Sequence, residues 1–143
     1  ECLFVLVFDG DEVVGASTAL PMSAEVDDFA RPFELMGYDV GDVFYFGESV
    51  LLPGYRGQGI GHRFFDEREA FARKLGRFAL TTFCAVERPA DHPRRPAEYR
   101  PHDAFWSKRG YVKRPELHTT FDWQEIGEAE ESPKKMIFWT RDL

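Results

Sequence analysis

Cysteine is nearly absent from this chain. Cys2 and Cys84 are its two thiols in 143 residues. Two thiols build neither a disulfide framework nor a metal cluster, and the expected state is a reduced pair in a cytoplasmic protein. No run approaches the ~20 apolar residues that cross a membrane. Phe4–Phe8 is too short and too near the start for a secretory signal, and Asp9 ends it. Internal repeats and low-complexity segments are missing. Positive charge is short: 18 Lys and Arg against 25 Asp and Glu leave −7. That balance argues against a nucleic-acid surface, and fits either solubility alone or a cationic partner such as an amine. His92 has no partner at metal-ligand spacing, so no metal site is expected. What remains is ordinary: 43% hydrophobic residues and 14 Phe, enough for one packed domain. The chain opens on Glu1 and enters an apolar strand at once, which reads as part of a longer protein.

One stretch organises the rest. Val43–Leu52 is an apolar run of strand length. Pro53-Gly54 ends it, because proline cannot donate to a sheet and Pro-Gly favours a turn. Arg56-Gly57-Gln58-Gly59-Ile60-Gly61 follows, and then Gly61–Leu75, with Phe64, Phe65, Phe71, Ala72 and Leu75 at helical spacing. The pattern is strand, glycine loop, helix. Such a loop leaves N–H groups uncovered at a helix N-terminus, where the helix dipole also favours phosphate. A simple turn needs one such glycine rather than three. A P-loop requires Lys-Ser/Thr after its last glycine, and this chain has Ile60-Gly61-His62. The dinucleotide fingerprint requires glycine where His62 stands.

Around this unit, Leu3–Phe8 and Val13–Leu20 read as a hairpin turned by Asp9-Gly10. Ser23–Asp42 contains a helix, with Ser23 as its cap and Val26, Phe29, Ala30 and Phe33 on one face; Pro32 falls near its end or breaks it. This segment either covers the substrate side of a site or is a surface insertion packed by its aromatics. Glu69 and Arg73 are spaced as a helix-surface ion pair, and Gly76 as a C-cap. Phe78–Val86 is a strand parallel to the central one, since a helix joins them. Glu87–Pro101 is a proline-rich loop carrying Arg88, Arg94, Arg95 and Arg100, which either reach coenzyme phosphates or balance surface acids. Asp103 caps a helix over Ala104–Arg109, and Tyr111–Val112 starts a strand. Thr119–Trp123 and Met136–Thr140 are two more strands, with Glu125–Lys135 as their loop.

The order Arg56-x-x-Gly59-x-Gly61, within Val50-Leu51-Leu52-Pro53-Gly54-Tyr55-Arg56-Gly57-Gln58-Gly59-Ile60-Gly61, resembles the acetyl-CoA signature of the GNAT superfamily of N-acetyltransferases. Phe105-Trp106-Ser107-Lys108-Arg109-Gly110-Tyr111 is a looser second match. The resemblance implies an α/β (α+β) fold: a mixed, mostly antiparallel sheet whose central parallel pair splays at the coenzyme site, flanked by helices. It begins at the family's second strand, so the first strand and the helices after it are not represented. It further implies acetyl-CoA as cosubstrate. The backbone of Val50, Leu51 and Leu52 would pair with the pantetheine arm. The N–H groups of Gly57, Gln58, Gly59, Ile60, Gly61 and His62 would hold the pyrophosphate, with Arg56 opening the loop and Arg63 approaching the phosphates. The ends of the late strands would pair chains into a homodimer.

Glu48 stands in the otherwise apolar central strand. A carboxylate there is paired, exposed at a splay, or working. Transfer of an acetyl group to an amine by direct attack needs a base for the ammonium proton, and Glu48 is the candidate. Backbone N–H groups near Leu51–Leu52 would stabilise the oxyanion. The family often places a tyrosine on the last helix to protonate the leaving thiolate; Trp106 stands there, and indole does not serve as an acid near neutral pH. His102, Tyr99, Tyr111 and Cys84 are unranked substitutes. A non-catalytic CoA-binding module and a transferase for a longer acyl group are the alternatives. The acceptor is a small-molecule or protein amine that the sequence does not specify.

Overall fold

The structure is a computed structural model that describes residues 1–87, 102–124 and 127–143. The arginine- and proline-bearing stretch after Glu87, with His92 and Tyr99, lies outside the described residues.

Strands β1 (Leu3–Asp9) and β2 (Glu12–Pro21) form the expected hairpin, with Gly10 in the left-handed region at φ +61°. Helix α1 (Asp27–Leu35) starts later than Ser23, which sits in a short 3-10 turn; Val26 precedes the helix without a side-chain cap. Asp27 and Asp28 in the first turn supply instead the negative charge that an N-terminus favours. Pro32 lies in the last turn. Strand β3 (Val43–Leu51), helix α2 (Ile60–Leu75) and strand β4 (Leu80–Val86) follow, with Gly76 closing α2 at φ +74°. Helix α3 (Asp103–Lys108) is preceded by His102, so Asp103 is its first residue and not its cap.

Strands β5 (Val112–Trp123) and β6 (Ser132–Asp142) pair antiparallel. The separate starts expected at Tyr111 and Thr119 are one strand. Pro115 falls in the irregularity between Arg114 and His118, on the outer edge, where a missing N–H breaks no ladder. Strand β6 begins at Ser132, inside the stretch read as a loop.

The sheet order is β1-β2-β3-β4-β6-β5, and only β3 and β4 run parallel. Rings dominate both faces. Phe44, Phe46, Phe65, Phe83 and Trp139 form a core with α2, against which Phe105 and Trp106 of α3 pack. Met22, Phe33, Tyr45, Leu117 and Phe138 form a second core beneath α1. Period-two alternation explains the division: Phe44 and Phe46 point one way and Tyr45 the other.

Glu69 corrects an expectation. It does not lie on the surface with Arg73, being 3% exposed. It accepts from Arg109 Nη2 at 2.9 Å, Arg141 Nη1 at 3.0 Å and the Tyr111 hydroxyl at 2.9 Å. Helical spacing favours an i,i+4 pair, but two guanidiniums brought by α3 and β6 outcompete the nearer, exposed Arg73.

Candidate functional site

The site begins with one irregularity in β3. Ala19 pairs with Phe46 and Ser17 with Ser49, so Gly47 and Glu48 together face the single residue Thr18. This is a β-bulge, which bends its strand and sharpens the twist. Thr18 holds it: its Oγ1 accepts from the Glu48 N–H at 2.9 Å. Gly47 is required because a Cβ there would stand 2.8 Å from that same oxygen. Beyond the bulge the faces exchange. Ser49 joins the α2 side with Ser17, while Glu48 and Val50 join the α1 side with Tyr45. Uninterrupted alternation would have placed Glu48 and Val50 with Phe46.

The bend separates the parallel strands. Pairing between β3 and β4 comprises Val43–Leu80, Phe44–Thr81 and Tyr45–Thr82, and then stops. β3 stays bonded to β2 as far as Leu51, and β4 to β6 as far as Val86. A wedge therefore opens in the middle of the sheet.

At the mouth of the wedge, Pro53–Tyr55 makes one 3-10 turn, and the Tyr55 hydroxyl donates to Asp9, tying the loop to the hairpin. Gly57 and Gly59 take φ of +79° and +84°, values that disfavour other residues. Gly59 is the N-cap of α2 and offers no side-chain cap. Arg63 N–H donates back to Gly59 O at 3.2 Å, closing the first turn. The N–H groups of Gly57, Gln58, Gly59, Ile60, Gly61 and His62 have no hydrogen-bond acceptor among the described residues. A Ser or Asp at the cap could occupy one, but would be strained at the left-handed φ of Gly59. Glycine leaves all of them open, and no acid stands in the first turn.

No family model matches the sequence, and no curated protein matches it. Solved structures do resemble its fold. The IAA acetyltransferase from Bacillus cereus matches 99% of this chain and 78% of its own, with a TM-score of 0.62 at 13% identity. A GNAT family acetyltransferase from Elizabethkingia anophelis with acetyl-CoA bound matches 98% and 75%, at 0.61 and 14%. The ribosomal-protein-alanine N-acetyltransferase from Brucella melitensis matches 98% and 68%, at 0.60 and 16%. The chain has the GNAT acetyltransferase fold.

Within this GNAT fold the site residues divide by what their atoms face. Leu52 N–H already donates to Val14 O at 2.9 Å. Alternation turns the Val50 N–H the same way, and Leu51's N–H and carbonyl toward the wedge. So one of the three residues expected to pair with a pantetheine arm presents its backbone there, and Leu52 N–H is not free for an oxyanion. The Leu51 carbonyl accepts from Arg56 Nε at 3.2 Å, which fixes Arg56 beside the loop. Gln58 Nε2 donates to Gly54 O at 3.5 Å. Arg63 points to solvent and pairs with Glu67 at 3.2 Å. The His62 ring packs on α3, 4.5 Å from the ring of Phe105, and its N–H stays at the loop.

On the α1 side of the wedge lie exposed Glu48, then Tyr45 and Cys84, whose hydroxyl and sulfur are 3.6 Å apart. Burial first, and then the charges of Glu48 and Glu25, push the Cys84 thiol up to about 11; burial likewise raises the Tyr45 phenol. Among the substitute acids, Tyr111 is buried, donates to Glu69 and is raised mainly by burial. Trp106 packs on Phe83 and Trp139 at 4.8 and 5.1 Å. His102 is exposed, 5.6 Å from the Trp106 ring. The described residues hold no cluster of metal-ligating side chains, and no helix among them is long and apolar enough to cross a membrane. The bulge and the Glu69 partners escaped the sequence, because Thr18, Arg109 and Arg141 are all distant along the chain from the residues they bind.

Proposed function

We propose that this chain is an acetyl-CoA-dependent N-acetyltransferase. The uncapped amides from Gly57 to His62, at the mouth of a sheet wedge in a GNAT fold, carry the reading. They are suited to a diphosphate: a row of N–H donors, a helix N-terminus, Arg56 anchored alongside and no acid in the first turn of the helix. The Leu51 N–H at the open edge of β3, where the Leu51 carbonyl already accepts from Arg56, suits one hydrogen bond to an extended amide-bearing arm laid along the strand.

The thioester would then lie near Glu48. An amine attacks its carbonyl carbon, the C–N bond forms, and the C–S bond breaks to release CoA thiolate. Glu48, directly or through a water, takes the proton that the ammonium must lose; the nitrogen gives its second proton to solvent as the amide forms, and solvent protonates the thiolate. The bulge makes this role possible by placing Glu48 on the open α1 side, where an acceptor can approach. General-base catalysis contributes about 10²–10⁴-fold. Glu48→Gln should therefore lower kcat by at least about a hundredfold, while leaving CoA affinity unchanged. Thiol release across a panel of small amines and peptide amino groups measures the first, and calorimetry with CoA the second. Full turnover by Glu48→Gln would remove the base assignment.

Trp106 favours a second reading. With its ring packed against Phe83 and Trp139 and no phenol on α3, the chain would be a CoA-binding module without turnover. CoA binding with no thiol release on any amine would establish it.

A further inference from the structure

Arg109 ends α3, and its guanidinium grips one stripe of α2. Nη2 donates to Asp66 Oδ1 at 2.7 Å and to Glu69 Oε1 at 2.9 Å, while Nη1 donates to His62 Nδ1 at 3.2 Å. These partners are spaced four and three residues apart, so they share one face. The cation also lies 5.2 Å from the centre of the Phe65 ring, and its Nε is buried without a partner among the described residues. Neutralising Glu69 does not require this arrangement: Arg141 Nη1 already reaches the same carboxylate oxygen, and Tyr111 donates to the other.

What the arrangement does fix is the first turn of α2. That turn has no side-chain cap and so no lock of its own. His62 carries the last of the open N–H groups. Its ring is held from one side by Arg109 and from the other by Phe105, whose tip also lies 3.6 Å from a Cβ position at Gly61. Helix α3 thus braces the turn that presents the amides.

We propose that Arg109 is a positioning residue for the anion site: through His62 it holds the first turn of α2 in the geometry at which the loop amides converge. It thereby sets affinity for the diphosphate of the coenzyme without touching it. This rests on the reading of Gly57–His62 as the coenzyme loop.

The test uses CoA and pantetheine, which share the arm but not the diphosphate. Arg109→Lys keeps a cation beside Glu69 and loses the fork. It should raise the calorimetric Kd for CoA on the order of tenfold, roughly one charged hydrogen bond, and leave that for pantetheine unchanged. His62→Phe keeps the packing on Phe105 and the Arg109–Glu69 pair, yet should weaken CoA by a similar factor. The double variant should be no worse than either single one. Amide exchange at Arg63, whose N–H bond to Gly59 closes that turn, should quicken in both variants, with the later turns of α2 unchanged. Unchanged CoA affinity in Arg109→Lys, or equal weakening of CoA and pantetheine, overturns the proposal. Wild-type protein that binds CoA no better than pantetheine overturns the loop reading itself, and this proposal with it.

Discussion

Two glycines two residues apart should respond oppositely to the same methyl group. Gly59 has φ +84°, and nothing lies within 4 Å of a Cβ built there. Gly59→Ala is therefore a test of backbone strain alone, costing about 1–2 kcal/mol for a left-handed alanine. Gly61 lies in the first turn of α2 without a positive φ, and its Cβ would meet only Phe105, at an ordinary 3.6 Å. There alanine gains about 0.5–1 kcal/mol over glycine. The two variants should differ by about 2 kcal/mol, a gap of roughly 4–8 °C in Tm for a domain this size. Thermal melts and urea titrations without coenzyme measure that gap. CoA at a hundred times Kd should add about 2.7 kcal/mol to the wild type and less to Gly59→Ala, whose amides are tilted. If Gly61→Ala melts at or below Gly59→Ala, the loop does not have the backbone described.

Other expectations follow from the buried contacts. Glu69→Ala leaves two guanidiniums facing a void and should cost about 3–5 kcal/mol in urea unfolding, with Glu69→Gln costing less; a loss under 1 kcal/mol would mean the cluster is open to water. Thr18→Val removes the acceptor of the Glu48 N–H. It should cost at most about 1 kcal/mol, yet speed amide exchange at Glu48 selectively. Iodoacetamide at pH 8 should label exposed Cys2 and spare Cys84, whose thiol is raised to about 11 and so holds little thiolate there. In urea both should react, and equal rates in the folded protein would contradict the burial of Cys84.

The sequence disclosed whatever is local. Asp9-Gly10 marks its hairpin, Gly59 and Gly76 bracket α2, and the apolar run from Val43 marks the central strand, because each signal rests on backbone conformation or period within a few residues. Long-range choices were hidden. Glu69 has a plausible partner four residues away, and only the packing of α3 and β6 brings it better ones. Gly47-Glu48 reads as regular alternation, and the bulge is decided by Thr18 on another strand. Ser23 and Asp103 have capping side chains, yet the chain path starts each helix elsewhere. For the same reason, of Val50, Leu51 and Leu52 it is Leu51 that turns its N–H to the wedge: which way a strand's N–H groups point is set by the neighbour it pairs with.

Three residue pairs, Val43–Leu80, Phe44–Thr81 and Tyr45–Thr82, join the two ribbons β1-β2-β3 and β4-β6-β5 directly. They act as a pivot. A small rotation about them changes the width between Leu51 and Val86 while every other ladder stays intact. On the acetyl-transfer reading proposed above, selection for bulkier acyl groups would find its shortest route in the side chains around that pivot, Tyr45 and Thr82, where one methyl group more or less alters an angle, and the glycine loop could be left as it is.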